Sequence, residues 1–146
     1  MINEFTGKYR FLSNFYPVWV TFEDAQYPSV EHAYQAAKTT DFNSRLPFME
    51  GVVTANEAKK LGKKIKLRED WEQVKVPIML SLLREKFQQP KFAKLLLSTG
   101  DKELIEGNWW GDIWWGVCKG VGQNWLGKLL MQVREELKCS QSKDIV

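Results

Sequence analysis

Helix-start signals recur along this chain of 146 residues and constrain its fold more than any other feature. They stand at Ser29, at the capping-box pattern Thr54-x-x-Glu57, at Pro90 and at Asn124. After the last signal, apolar residues recur at spacings of three and four, at Leu126, Leu129, Leu130, Val133 and Leu137. This is the period of an amphipathic helix. The chain is therefore predicted to be mainly helical.

β-structure is predicted close to both ends. Val18, Val20 and Phe22 alternate with Trp19 and Thr21, as in a half-buried strand, and the turn that follows leads to a partner strand ending at residue 28. Residues 102–118 combine tryptophan with glycine and resemble a strand and turn region. The predicted fold is α+β and mainly α, with about five helices and small β-hairpins near both ends.

Chain breakers and composition refine this prediction. Gly62 and Gly100 should end two of the helices, whereas Pro77 should interrupt, kink or restart a third. Nothing marks a linker, so residues 1–137 are expected to form one domain and residues 138–146 a flexible tail.

The totals favour a soluble protein without a cofactor. Net charge is only +3, no apolar run approaches the ~20 residues that span a bilayer, and a signal-peptide core is missing at the N-terminus. A cytoplasmic protein with no membrane partner is therefore expected. With one histidine, and with Cys118 and Cys139 outside any C-x-x-C pattern, neither a metal site nor a cofactor is predicted.

The segment after Ser29 places polar groups on one helix face. Glu31, Gln35 and Lys38 follow one another at i, i+4 and i+7, with Tyr34 beside them. Glu31 and Lys38 would lie about 10 Å apart along the helix axis, enough to flank a sugar. Periodicity alone favours an ordinary solvated face, and the single histidine, His32, is interpreted as a packing or hydrogen-bonding residue.

Two further clusters lie near the C-terminal end. Asp112 stands among four tryptophans in NWWGDIWWG, where aromatic faces could stack a heterocycle, although a tryptophan-rich core corner explains the same pattern. Downstream, Gly120 and Gly122 precede Asn124 and a helix, where backbone N–H groups could face a phosphate. Glycines that merely permit a turn are the favoured explanation of this second pattern from the sequence alone.

If the chain is an enzyme, the side chains that could act in catalysis are carboxylates, lysine and aromatic rings. Two carboxylates can stabilise an oxocarbenium-like centre and move a proton in glycosidic-bond chemistry. A lysine with a lowered pKa can instead attack a ring-opened sugar and form a Schiff base.

Five segments in this order resemble the YbiA-like, or NADAR, family. They are FLSNFYP (11–17), YPSVEHAYQAAK (27–38), WEQVK (71–75), Asp112-x-x-Trp115-Gly116 and GQNWLGKLLMQVREEL (122–137). The doubled tryptophans leave open a second register in which Trp110-Gly111 takes the Trp-Gly position.

The resemblance implies an N-glycosidase. Its substrate would carry a ribose C1 bonded to a base or amino nitrogen and a phosphate on the 5′ side of the sugar. Two substrates fit: a ribosylamino-pyrimidine phosphate of riboflavin synthesis, and ADP-ribosylated guanine in nucleic acid. A binding module that recognises NAD or ADP-ribose without cleaving it is the main alternative, and a structural protein with a tryptophan-rich core is another.

Family positions carry over to this chain residue by residue. The resemblance implies that Glu31, Lys38 and Asp112 are catalytic and that Lys38 attacks the ribose C1. Substrate-binding positions are expected at Asn14, Trp71, Trp115, Gly120, Gly122 and Asn124.

Overall fold

A computed structural model of the protein describes the backbone of residues 1–144 and the side chains through Gln141. In chain order the elements are a 3₁₀ helix Gly7–Leu12, strands β1 (Val20–Phe22) and β2 (Ala25–Tyr27), helices α1 (Val30–Ala36) and α2 (Phe42–Arg45), a 3₁₀ helix Leu46–Phe48, helices α3 (Ala55–Gly62), α4 (Trp71–Phe87) and α5 (Pro90–Leu97), strands β3 (Gly107–Asn108) and β4 (Val117–Cys118), and helix α6 (Trp125–Asp144). The α+β, mainly α prediction is confirmed.

The chain divides into two compact units. The central unit is Asn14–Lys86, and the terminal unit comprises Met1–Ser13 with the chain from Phe87 onward. Among the described residues, no helix is both long and apolar enough to cross a membrane.

The predicted N-terminal hairpin is present in the central unit. β1 and β2 pair antiparallel with Val20 opposite Tyr27, and both of these side chains are fully buried. Glu23 and Asp24 form the connection with φ of +46° and +67°, the left-handed pair that suits a two-residue hairpin. Trp19 points away from the core and is exposed, as the alternation predicts.

Helices α1 and α3 begin at the predicted caps and pack against each other. The Ser29 hydroxyl accepts a hydrogen bond from the His32 N–H, and Thr54 and Glu57 form the complete reciprocal capping box. α3 ends at Gly62 as predicted, although the reason is different. Gly62 has no left-handed φ, and the residue after it, Lys63, is still helical with φ −70°.

Pro77 neither interrupts α4 nor restarts it, two of the outcomes expected from the sequence, and a kink at this residue stays a prediction. The helix runs without interruption from Trp71 to Phe87 and contains Pro77 in its interior. Its apolar stripe of Met79, Leu82, Leu83 and Phe87 is buried. Packing of such a stripe supplies most of the stability of a helix in a protein, which explains how α4 tolerates one missing N–H donor.

The terminal unit corrects the prediction of a second hairpin. β3 and β4 form a parallel pair, with Gly107 opposite Val117 and Asn108 opposite Cys118. The loop 109–116 returns the chain to the start of β3, where Val117 N–H donates to the Glu106 carbonyl at 2.8 Å. The short turn from Cys118 to Val121 has hairpin character, through an isolated antiparallel bridge.

Helix α6 is longer than its apolar pattern indicates. It packs against α5 and continues past Leu137 to Asp144. The flexibility expected for residues 138–146 stays a prediction, and Ile145 and Val146 lie outside the described residues. The one-domain boundary at residue 137 likewise stays a prediction.

Candidate active site

Glu31 lies in the first turn of α1 and is buried, with 8% of its surface exposed. Its backbone N–H donates to the Asn14 carbonyl at 3.0 Å, which fixes the start of the helix. One carboxylate oxygen, Oε1, accepts a hydrogen bond from the Gln35 amide at 2.7 Å. The central unit therefore holds a buried acid in a set orientation, not a freely solvated one.

Lys38 follows the end of α1 and is half-buried. Its ammonium lies 5.7 Å from the centre of the Tyr34 ring. Burial lowers the pKa of Lys38, the charge of Glu31 acts to raise it, and Lys63 and Lys59 lower it. The net direction is downward, which favours the neutral, nucleophilic amine more than in a solvated lysine.

Trp71 joins this group through an aromatic contact. It is the first residue of α4, it is buried, and its ring centre lies 5.2 Å from that of Tyr34 with a tilt of 52°. The same Tyr34 ring carries the Lys38 ammonium on its face. Trp71, Tyr34 and Lys38 therefore form a continuous aromatic and cationic wall in the central unit.

Asn14 shares this neighbourhood. Its carbonyl holds the Glu31 N–H, while its side-chain Nδ2 meets only the Met79 sulfur at 3.5 Å, a weak acceptor. The side-chain Oδ1 is buried and has no hydrogen-bond partner among the described residues. A buried amide with so little hydrogen bonding is consistent with the predicted role in ligand binding.

His32 has the supporting role that the sequence indicates. Its Nε2 lies 2.7 Å from the Val53 carbonyl, which can only accept, so Nε2 carries the hydrogen. Its Nδ1 can then accept from the Ser29 hydroxyl at 2.6 Å. Both ring nitrogens are engaged in tying α1 to its surroundings.

Asp112 in the terminal unit organises the loop 109–116. Its Oδ1 accepts the backbone N–H groups of Trp114 at 3.1 Å and Trp115 at 2.9 Å. The hydrogen bonds of this carboxylate to the described residues all use Oδ1, so one oxygen shapes the loop and Oδ2 can contact a ligand. Of the two possible registers, only the Trp115 position is bonded directly to this carboxylate.

Asn108 holds the backbone of Asp112 from both sides. Its Oδ1 accepts the Asp112 N–H at 3.0 Å and its Nδ2 donates to the Asp112 carbonyl at 2.8 Å. The i, i+4 spacing of the two residues was the only available sequence signal, and it does not specify this loop geometry. Asn108 is therefore a positioning residue that the sequence reading missed.

The glycines of the next segment have structural explanations. Lys119 and Gly120, with φ of +53° and +78°, form the two-residue turn between Cys118 and Val121. At Gly122, an added Cβ would lie 2.1 Å from the Gly116 carbonyl oxygen, so only glycine fits. Gly120 lies at an open turn, and its contact with a phosphate stays a prediction.

Backbone carbonyls of the loop occupy the start of α6. The N–H groups of Trp125 and Leu126 donate to the carbonyls of Trp114 and Trp115, at 3.1 and 2.9 Å. The Asn124 amide is also engaged, since it accepts from the Glu106 N–H at 2.9 Å and donates to the Leu104 carbonyl at 3.0 Å. Because these N–H groups at the start of α6 already have acceptors, they support the predicted phosphate contact less well than free N–H groups would.

The predicted site residues thus form two groups. The structure brings Asn14, Glu31, Lys38 and Trp71 together in the central unit. Asp112, Trp115, Gly120, Gly122 and Asn124 lie in the terminal unit. Tyr34 and Gln35 complete the first group; their spacing on the helix face was visible in the sequence, but their contacts were not.

Comparison with known proteins identifies the family. The sequence profile of the NADAR domain matches residues 3–138, nearly the whole chain. The chain belongs to the NADAR family. The solved NMR structure of the Escherichia coli NADAR relative YbiA covers 97% of this chain and 89% of its own, with 32% identity and a TM-score of 0.82.

Similar NADAR proteins carry enzyme names. An N-glycosidase of Nostoc punctiforme is 36% identical over 89% of this chain and 86% of its own length. N-glycosidase YbiA of Escherichia coli K12 is 35% identical over 88% of this chain and 82% of its own. A riboflavin biosynthesis protein of Vibrio vulnificus is 40% identical over 88% of this chain, which spans only 35% of that longer protein. This NADAR protein is accordingly a hydrolase acting on N-glycosyl compounds.

Proposed function

We propose that the substrate is a phosphorylated ribosyl or ADP-ribosyl compound and that water replaces the base or amino nitrogen at ribose C1. The observation that carries this proposal is Lys38, a half-buried amine of lowered pKa beside the buried Glu31 carboxylate and the Tyr34 ring. Two sources share this chemistry. They are a ribosylamino-pyrimidine phosphate, and ADP-ribosylated guanine in nucleic acid.

The proposed reaction proceeds by exchange at C1. The ribose ring opens as the C1–O4 bond breaks: O4 keeps the electron pair and takes a proton from water, and the lone pair of the departing nitrogen forms a protonated imine with C1. The neutral Lys38 amine adds to C1, a proton moves to the departing nitrogen, and that nitrogen leaves as the free amine. Water then adds to the C1–Lys38 imine, releases the sugar aldehyde and restores Lys38.

Glu31 is the group proposed to move these protons. Its carboxylate lies in the first turn of α1, where the helix N-terminus favours negative charge. In an alternative route without a covalent intermediate, the same carboxylate steers water directly onto C1.

Trp71 is proposed to line the base or ribose, because its ring is fixed against Tyr34. Asn14 is proposed to hydrogen-bond the ligand through its unpaired Oδ1.

For the terminal unit, we propose that Asp112 uses Oδ2 for a proton or a sugar hydroxyl. Its Oδ1 is already committed to the loop. Trp115 is proposed as an aromatic contact for the substrate. Gly120, Gly122 and Asn124 remain proposed positions on the phosphate side of the substrate, although each also has a structural role in its turn or helix start.

The test supplies the purified full chain with both substrates and follows release of the free amine or of ADP-ribose by chromatography. Cleavage of one substrate identifies the source, and failure to cleave either by a folded sample contradicts the proposal. Lys38→Ala should abolish turnover, whereas Lys64→Ala, which removes an exposed lysine, should leave it unchanged.

Borohydride separates the two routes. Reduction during turnover should trap the sugar on Lys38, visible as a mass increase that Lys38→Ala loses. If Lys38→Ala retains full turnover and no adduct forms, the Schiff-base route is wrong and the water route is favoured. With the Lys38 route, kcat/KM should rise as the pH rises through a pKa below the ordinary value of 10.5.

A further inference from the structure

Gln35 is buried on α1, four residues after the proposed acid Glu31, and only half of its amide is hydrogen-bonded. Only 3% of its surface is exposed, and its amide Nε2 donates to Glu31 Oε1 at 2.7 Å. Its amide oxygen, Oε1, is buried and has no partner among the described residues. The side chain therefore satisfies its donor half and leaves its acceptor half unpaired.

Gly62 of α3 determines where the Gln35 amide lies. A Cβ built on Gly62 would stand 1.8 Å from Gln35 Oε1 and 2.7 Å from its Cδ. Because Gly62 has helical backbone angles, its glycine is explained by this close approach and not by a left-handed cap. The α1–α3 contact thus provides a slot that fits the Gln35 amide and would not admit any side chain at position 62.

An unpaired buried acceptor lowers stability, so its presence in a packed interface calls for an explanation. When the Gln35 amide is oriented to donate its N–H to Glu31, the Gln35 Oε1 atom faces Gly62. An N–H donor pairs with a charged carboxylate, whereas an amide oxygen would require a protonated one. The arrangement therefore favours the ionised Glu31 carboxylate in one orientation. In exchange, the amide oxygen of Gln35 goes without a hydrogen bond.

We propose that Gln35 is a positioning residue for the N-glycosidase reaction, held by the slot at Gly62 so that its amide orients the Glu31 carboxylate. This inference rests on the proposed function for its kinetic consequences only. The amide does not touch the substrate and acts through Glu31. The charged groups that also act on this part of α1 are Lys38, Lys59 and Lys63, and none of them changes in the variants below.

The first test is Gln35→Met, which keeps the volume and removes the donor. We expect kcat/KM to fall about 10- to 100-fold, chiefly through kcat, because the reacting group loses its orientation. The acidic limb of the pH profile should move to higher pH, since a donor to the charged carboxylate has been lost. The melting temperature should change little. Gln73→Met, an exposed glutamine on α4, is the matched control and should leave every readout unchanged.

Gln35→Glu gives a signature that a purely structural role would not produce. At low pH the introduced carboxyl can hold a proton and donate it to Glu31, so activity should exceed that of Gln35→Met at the same pH. As the pH rises, two adjacent carboxylates would repel each other and activity should fall below that of the native chain.

Titration of Glu31 decides the matter independently of turnover. With ¹³C-labelled glutamate, its carboxyl resonance should titrate at higher pH in Gln35→Met than in the native chain. An unchanged titration, or an unchanged kcat and pH profile, overturns the positioning role of Gln35. Absence of turnover in the native chain with a shifted titration would instead reject the proposed function and leave the orienting contact established.

Gly62→Ala tests the slot. It should displace the amide and reproduce the Gln35→Met titration and pH profile. Combined with Gln35→Ala, which empties the slot, the same glycine substitution should lower the melting temperature much less than it does alone. If Gly62→Ala lowers the melting temperature equally in the native chain and in Gln35→Ala, Gly62 does not hold the Gln35 amide in place.

Discussion

At the scale of single residues, each proposed acid is hydrogen-bonded by a neighbour four positions away. Gln35 donates to Glu31, and Asn108 brackets the backbone of Asp112. The family resemblance identified both acids, but neither partner could be assigned from the sequence. An i, i+4 spacing shows that two side chains can meet on a helix, and it does not show which atom donates to which.

Substitutions of Asp112 can separate its structural role in the loop 109–116 from its proposed role in the reaction. In Asp112→Asn the side-chain oxygen can still accept the N–H groups of Trp114 and Trp115, so the loop should persist with a melting temperature near that of the native chain. The NH₂ group that replaces Oδ2 cannot accept a proton, and we expect turnover to fall at least about 100-fold. Turnover at the native rate would remove Asp112 from the reaction.

Asp112→Ala is the companion to this variant. It removes both oxygens, leaves two loop N–H groups without their acceptor and should lower stability by about 0.5–1.5 kcal/mol. Thermal unfolding distinguishes the two variants: only Asp112→Ala should shift the melting temperature. Equal shifts would mean that Oδ1 does not organise the loop.

At the scale of elements, local signals were read correctly and long-range pairings were not. Ser29, the Thr54–Glu57 box and the Glu23–Asp24 turn act within a few residues, so the sequence alone locates them. The parallel pairing of β3 with β4 depends on the path of the loop between them, which no local pattern encodes. The interruption expected at Pro77 does not occur for the same reason, because burial of the α4 stripe overrides the local preference.

The capping box of α3 should contribute measurably to stability. Thr54 accepts the Glu57 N–H at 3.1 Å, and Glu57 accepts the Thr54 N–H at 3.0 Å. Thr54→Ala breaks one half of the box and should reduce the free energy of unfolding by about 1 kcal/mol. Urea denaturation measures the change, and Thr40→Ala, at an exposed site outside every helix, is the control. Equal stability of the two variants would show that the box adds nothing.

At the scale of the whole molecule, the least expected feature is a charged residue type in the core. Lys86, near the end of α4, is fully buried, and its amine lies 5.9 Å from the centre of the Tyr16 ring. Burial lowers the pKa of Lys86 from 10.5 to about 7. This burial could not be predicted from the sequence, because a lysine beside Phe87 on an amphipathic helix is usually assigned to the solvent face.

Lys86 should make global stability depend on pH in the alkaline range. Between pH 7 and 10.5 the unfolded chain keeps a proton on Lys86 that the folded chain releases, so the free energy of unfolding should rise with pH. Below pH 7 the full cost is present, up to about 5 kcal/mol at 1.36 kcal/mol per pKa unit. Lys86→Met removes this cost while keeping an apolar stem.

The variant should therefore be more stable than the native chain by a few kcal/mol at pH 6, and the difference should shrink steadily to near zero above pH 10. Urea denaturation at pH 6, 8 and 10 measures it. Lys94→Met, which changes an exposed lysine on α5, should show no pH-dependent difference. A constant difference across the three pH values would mean that Lys86 keeps its ordinary pKa in the folded protein, and that its ammonium is accommodated by the core as a charge.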